Sequence, residues 1–145
     1  MSGEDTAAER KAKLDAVKPW VAACAAFCHL DHWNVTVEHE PPDADAVAAI
    51  GRWRGQMDAS LYLSDRFFTL TEKERREVVA HELAHAQMCP MWELWLDLDE
   101  VLGKPAYAMF RNHAQIAEEM VVEALARVIG PLLPAPPTAA PQEAP

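Results

Sequence analysis

The chain has 145 residues, a length that fits one domain with a sizeable core and is too short for two ordinary domains. Hydrophobic residues make up 50% of it and charged residues 25%, a balance typical of globular rather than disordered proteins. Its 13 basic and 23 acidic residues give a formal net charge of −10, which repels phosphate backbones and anionic lipid headgroups. We therefore expect no nucleic-acid or membrane partner.

No segment of the sequence predicts export or membrane insertion. The start of the chain is polar and acidic, and the longest nearly apolar run, residues 19–28, is about half as long as a membrane-spanning helix needs to be. The 3 cysteines are an odd number for a disulfide framework, so reduced thiols are expected. The sequence thus predicts a cytoplasmic protein.

The first half of the chain predicts one helix followed by a small sheet. Residues 5–30 are rich in Ala, Lys and Leu and favour a helix that is either kinked at Pro19 or restarted there. Three short segments then have strand-like patterns, at residues 33–39, 46–54 and 58–64. Because the connections between them are too short for helical crossovers, we expect a mostly antiparallel sheet.

The second half predicts three helices, which places the fold in the α+β class. Thr71 and Glu74 form a capping-box pattern at the start of the first helix, which should end near Met88 because Pro90 cannot continue it. A shorter helix around residues 92–102 follows, and then a long helix from residue 105 to residue 130.

The composition changes after residue 130. Residues 131–145 are rich in proline and alanine, which is typical of a polyproline-like or disordered tail. We therefore assign residues 1–130 to a single domain and residues 131–145 to the tail. A proline-rich tail of this kind could also bind a partner protein.

The most informative segment is a His-Glu-x-x-His pattern formed by His81, Glu82 and His85 inside the predicted capped helix. Histidines four residues apart lie on one helix face and can offer ring nitrogens to the same metal ion. The composition of the chain gives this pattern by chance about 0.02 times. The helix is apolar nearly all round, and burying two imidazoles and a carboxylate there is costly without a function. Zinc suits these ligands, with Glu82 as the general base.

A catalytic zinc site needs a third protein ligand and leaves its fourth position for water. Met88 and Met91 stand where the metzincin pattern has glycine and histidine, so that class is excluded. The last helix carries glutamates in an apolar surface, and helical projection places Glu118 nearest to the centre of its apolar stripe. The residues alone leave further candidates for the third ligand: Glu119, Glu123, Asp97, Asp99 and His113.

The strand ending near Leu63, the segment Val-Val-Ala-His-Glu-Leu-Ala-His and the downstream Glu-x-x-Val-x-x-Leu-Ala helix resemble the minimal gluzincins. These are small single-domain zinc peptidases, including uncharacterised ones from bacteria and phages, and the resemblance covers about residues 33–129. It implies a zincin-like fold with an N-terminal helix, a small mostly antiparallel three-stranded sheet, an active-site helix and a C-terminal glutamate helix. It also implies Glu119 as the third zinc ligand, because Val122 and Leu125 follow it as in the family pattern. The chain lacks the Asn-Glu pair of thermolysin-like members.

The resemblance further implies hydrolysis of peptide bonds in a peptide or protein substrate. Zinc would activate a water molecule, while Glu82 takes the proton of that water and later delivers it to the leaving amine. We expect residues 58–64 to form the edge strand that pairs with an extended substrate, and His113 or Tyr107 to stabilise the transition state. Two alternatives remain, a non-catalytic zinc-stabilised binding module and a phage or host regulatory protease with one specific protein target.

A second pattern could hold structural zinc. Cys24, Cys28 and His32 stand at four-residue spacing, with His29 nearby. Small apolar neighbours favour ordinary packing of the two cysteines instead, and His32 lies beyond the predicted end of the helix. We therefore expect a single metal site.

Overall fold

The structure is a computed structural model that describes residues 6–137. Within these residues, five α-helices and one three-stranded sheet form an α+β fold. The elements in chain order are α1 (Ala7–Phe27), β1 (Asn34–His39), β2 (Ala48–Arg52), β3 (Asp58–Leu63), α2 (Asp65–Thr69), α3 (Glu72–Gln87), α4 (Cys89–Asp97) and α5 (Lys104–Ile129). A short 3-10 turn follows α4 at Leu98–Glu100, and another follows α5 at Gly130–Leu132. Within residues 6–137, no helix is long and apolar enough to cross a membrane.

Local hydrogen bonds explain where α3 begins and ends. The Glu74 N–H donates to the Thr71 hydroxyl at 3.3 Å, and the Thr71 N–H donates to the Glu74 carboxylate at 2.8 Å. This confirms the predicted capping box. The helix ends at Gln87, and Pro90 lies in the first turn of α4, where its missing N–H costs little. In the first half of the chain, α1 runs through Pro19 as one helix.

The sheet is mixed, so the expectation of a mostly antiparallel sheet was wrong for one of its two strand pairs. Its strand order is β1-β3-β2. β2 pairs antiparallel with β3, whereas β1 pairs parallel with β3. The connection between β1 and β3 contains the whole of β2, and is therefore long enough for a parallel crossover. As a result β3 is the central strand and β2 is an edge.

The core lies between α1, the sheet and α3. Leu61 and Leu63 of β3, Phe67 of α2, and Val79 and Leu83 of α3 are all fully buried. α2 itself was not predicted, because its five residues are too few to display a helical period. α3 thus packs against β2 of the sheet and also against α5.

The first residues of the proline-rich segment pack against the domain. Leu133 is buried in the core cluster, and the indole N–H of Trp20 in α1 donates to the Pro134 carbonyl at 2.8 Å. The residues just after residue 130 therefore lie against the core of the domain. The predicted tail beyond residue 137 lies outside the described residues.

Candidate metal centre

The His-Glu-x-x-His residues lie where α3, α5 and the edge strand β2 meet. α3 presents His81, Glu82 and His85 to a cleft of about 310 Å³, and α5 contributes Glu119 from the opposite wall. The remaining wall is formed by residues of β2: Ala48, Ala49, Ile50 and Arg52. Two helices and a strand that are far apart in sequence therefore converge on one small cleft.

Three side chains bring potential ligand atoms together in this cleft. The Nε2 atom of His81 lies 3.5 Å from Glu119 Oε2, and the Nε2 atom of His85 lies 3.4 Å from Glu119 Oε1. The three potential ligand atoms lie within 4.8 Å of one another, and no other group of three such residues occurs between residues 6 and 137. Ligands roughly 2.1 Å from a tetrahedral zinc ion are about 3.4 Å apart. Each histidine therefore lies at about this separation from one oxygen of Glu119, while the three donors together span up to 4.8 Å.

The other ring nitrogen of each histidine faces a second carboxylate. His85 Nδ1 lies 2.9 Å from Glu118 Oε1, and His81 Nδ1 lies 3.5 Å from Glu123 Oε2. Metal-binding histidines commonly donate this second N–H to a carboxylate, which orients the ring. Burial lowers the pKa of His81, as does the neighbouring His85, although Glu119 and Glu123 oppose the change. A lowered pKa favours the neutral imidazole that a metal requires.

Glu82 is the carboxylate that α3 contributes to the cleft, and it is buried, with 8% of its surface exposed. Burial raises its pKa to about 7, with a further increase from Glu119, against opposing effects of His85, Arg52 and a backbone hydrogen bond from Ile50. A carboxyl group with a pKa near 7 can both accept and release a proton at neutral pH. This is the property that a general base needs if it must also act as an acid.

Arg52 is a component of the site that the sequence did not reveal. Its Nη1 atom donates to Glu118 Oε1 at 2.7 Å and to the backbone oxygen of His85 at 2.8 Å, and its guanidinium lies 4.9 Å from the Trp92 ring centre. Burial alone would raise the pKa of Glu118, but the hydrogen bonds from His85 and Arg52 outweigh it and lower that pKa. A glutamate on the apolar face of a helix predicts that a buried polar or charged side chain pairs with it. Nothing in the sequence indicates that this partner belongs to β2.

The other candidates for the third ligand lie elsewhere. Glu118 and Glu123 face the Nδ1 atoms rather than the Nε2 atoms. Asp97 forms an ion pair with Arg54, and Asp99 and His113 are exposed and do not belong to the cluster. Of these candidates, the structure brings Glu119 together with the two histidines.

Two pockets adjoin the cleft. A groove of about 840 Å³ shares His81 and Glu82 with it and has an apolar wall, formed by residues that include Val47, Leu70, Val78 and Ala126. On the other side, a pocket of about 110 Å³ contains Tyr107, one of the two predicted transition-state donors, together with His85 and Glu119. The cleft therefore continues on both sides of the candidate ligands.

The predicted substrate strand was placed wrongly. β3, which contains nearly all of residues 58–64, is paired on both sides and has no free edge for a substrate. β2 lines the cleft instead, and it lies within the strand-like segment at residues 46–54. The sequence pattern of a strand does not reveal its position in the sheet, which depends on pairing between distant segments.

The rival cysteine site is not formed within the described residues. Cys24 and Cys28 are buried, and they do not belong to any cluster of three potential ligands in residues 6–137. Burial raises the pKa of both thiols, that of Cys24 to about 12, which disfavours the thiolate form that binds metal. Their role is packing between α1 and its neighbours in the core.

Comparison of the chain with known protein families, characterised proteins and solved structures gives no significant match. The assignment of a function therefore depends on the chemistry of the cleft. Three features matter most for it: the convergence of the Nε2 atoms of His81 and His85 on Glu119, the buried position of Glu82, and the edge strand beside them.

Proposed function

We propose that the protein is a zinc-dependent peptidase of the minimal gluzincin type, in which His81, His85 and Glu119 hold the metal. The observation that carries the proposal is the convergence of both Nε2 atoms on the two oxygens of the Glu119 carboxylate. Two imidazoles and one carboxylate are a ligand set that catalytic zinc sites use. The donors also stand in an open cleft, which favours a catalytic ion over a closed structural one.

The residues around the donor set support hydrolysis. When bound, zinc supplies a Lewis acid that polarises a carbonyl group and increases the acidity of water. Glu82 lies in the same cleft, and its pKa of about 7 allows it to accept a proton from the attacking water at neutral pH. The same carboxyl group then delivers that proton to the leaving amine.

The edge strand supports an extended peptide as the substrate. A peptide can add to the free edge of β2 through main-chain hydrogen bonds, because β2 pairs with β3 on one side only. Its side chains would then reach the apolar groove on one side of the cleft and the pocket containing Tyr107 on the other. Main-chain recognition of this kind positions the scissile bond with little dependence on sequence.

Substitution of Glu82 by Gln tests the proposal. The variant keeps the shape of the side chain and removes the base, so we expect it to bind zinc like the parent and to lose peptide cleavage by roughly 10²- to 10⁴-fold. A broad peptide library is digested by both proteins, with cleavage followed by mass spectrometry and zinc content by elemental analysis. Glu72→Gln, in the first turn of the same helix, is the matched control and should cleave normally.

Equal cleavage by the Glu82→Gln variant and the parent would contradict the proposed base. Absence of zinc from the parent after reconstitution would contradict the metal site itself. A parent that holds zinc but cuts no peptide in the library would contradict a general peptidase and leave the two alternatives, a protease with one specific protein target and a non-catalytic binding module.

A further inference from the structure

Arg52 connects the edge strand to the candidate metal centre. It is the last residue of β2, and its side chain is only 13% exposed. One nitrogen, Nη1, donates both to the Glu118 carboxylate and to the backbone oxygen of His85. The guanidinium also lies over the ring of Trp92 in α4. Contacts to α3, α4 and α5 therefore fix this side chain in one place.

Glu118 links Arg52 to His85 through hydrogen bonds. Its side chain is 5% exposed, and the same oxygen, Oε1, accepts from Arg52 and lies 2.9 Å from His85 Nδ1. An ionised carboxylate only accepts hydrogen bonds. The contact of Nδ1 with Glu118, at 2.9 Å, is shorter than that of Nε2 with Glu119, at 3.4 Å, so the geometry assigns the proton of the neutral ring to Nδ1. The lone pair then resides on Nε2, the atom that faces Glu119.

The two histidines are held to different degrees. The carboxylate facing His81 Nδ1 belongs to Glu123, which is 52% exposed, lies 3.5 Å away and also pairs with Arg127 on the helix surface. A solvated pair of this kind restrains a ring weakly. His85 is therefore the histidine whose orientation the protein determines most firmly.

We propose that Arg52 is a positioning residue that, through Glu118, keeps His85 protonated at Nδ1 with Nε2 directed at Glu119. The role of His85 as a zinc ligand rests on the proposed function, but the orientation of its ring does not. Removing such a hydrogen-bonding partner of a metal ligand typically weakens metal binding about 10- to 100-fold.

The test uses the full chain without metal and then with zinc. Arg52→Met keeps much of the side-chain length and removes the donors, so we expect His85 to change from the Nδ1–H form to a mixture of both neutral forms. Long-range ¹H–¹⁵N correlation spectra of the histidine side chains at alkaline pH measure this directly. Zinc affinity, measured by competition with a chelator, should fall about 10- to 100-fold. Arg54→Met is the matched control, since Arg54 pairs with Asp97 on the surface and should change neither result.

The outcomes separate the two proposals. An unchanged Nδ1–H form at His85 in folded Arg52→Met would overturn the positioning role. If the parent binds no zinc, the proposed function is wrong. If His85 nevertheless loses the Nδ1–H form in Arg52→Met, the positioning role remains supported. If Arg52→Met does not fold, Glu118→Gln replaces it and should also reduce the Nδ1–H form of His85. An unchanged Nδ1–H form in Glu118→Gln would overturn the positioning role.

Discussion

Glu82 is the residue at which burial and chemistry are most closely linked. Its carboxyl group lies in the cleft with a pKa of about 7, against an ordinary value of 4.5, chiefly because burial penalises the charged form. The folded protein therefore holds this proton more tightly than the unfolded chain does. Between pH 4.5 and about 7, stability is lost as the pH rises, because the unfolded state ionises first.

This sign gives a prediction for the metal-free protein. Glu82→Gln should match the parent in stability near pH 4 and should exceed it at pH 8, by about 3 kcal/mol if the whole difference in pKa is expressed. Thermal melts in the presence of a chelator across this pH range measure the difference. A stability difference that does not vary with pH would show that burial of an ionised Glu82 is not costly.

At the residue scale, the spacing of residues in the sequence was sufficient to predict which side chains α3 brings together. It was insufficient to predict the residues of other elements around them. His81, Glu82 and His85 could be predicted because a helix of known period fixes their relation. Glu118 and Glu119 are adjacent on α5, and which of them reaches the Nε2 atoms depends on how α5 packs against α3. Helical projection favoured Glu118, which is indeed the more buried of the two, but its partners are Arg52 and the Nδ1 atom of His85.

At the element scale, most helices and strands follow from local patterns, while their arrangement does not. The capping box at Thr71 and the break near Pro90 place α3 closely. The parallel pairing of β1 with β3 could not be predicted, because it depends on β2 passing to the far side of β3. The identity of the edge strand beside the cleft depends on that same pairing.

The junction of α3 with the end of α5 is tight enough to give a prediction. A Cβ atom added at Gly130 would lie 3.1 Å from the Glu77 Cα atom, which is backbone and cannot move aside alone. Helix propensity favours Gly130→Ala by about 0.5–1 kcal/mol, whereas overpacking costs typically 1–3 kcal/mol. We therefore expect a net loss of roughly 1 kcal/mol.

Chemical denaturation of the parent, Gly130→Ala and Gly130→Val measures this contact, with a larger loss expected for valine. Adding Glu77→Ala to Gly130→Ala should not restore stability, because the close atoms include the Glu77 backbone. A more stable Gly130→Ala variant would show that the two helices separate easily at this end.

At the scale of the whole molecule, the proposed metal joins helices that are distant in sequence. His81 and His85 belong to α3 and Glu119 to α5, so a shared ion would stabilise the packing of one helix on the other. A ligand that binds only the folded state stabilises it by about 2.7 kcal/mol at a free concentration 100 times its Kd. Zinc binding should therefore be visible as a higher melting temperature.

The prediction is a rise in melting temperature with free zinc for the parent, and one zinc ion per chain. Glu119→Ala removes a ligand and should abolish most of the rise at the same zinc concentration. Glu123→Ala, on the same helix but facing an Nδ1 atom through a solvated contact, should keep most of it. A parent whose melting temperature does not depend on zinc would contradict the site as a whole.

The central position of β3 has a consequence for how opening of the molecule can be observed. Its backbone is paired on both sides, and Leu61 and Leu63 have no exposed surface. Its amide hydrogens should therefore exchange with solvent only when the whole domain unfolds, since no local opening frees them. Amides of α5, which packs on one side only and leaves Met120 and Val128 exposed, can exchange through smaller openings. The ratio of the two exchange rates then measures the difference in free energy between a local opening of α5 and unfolding of the whole domain.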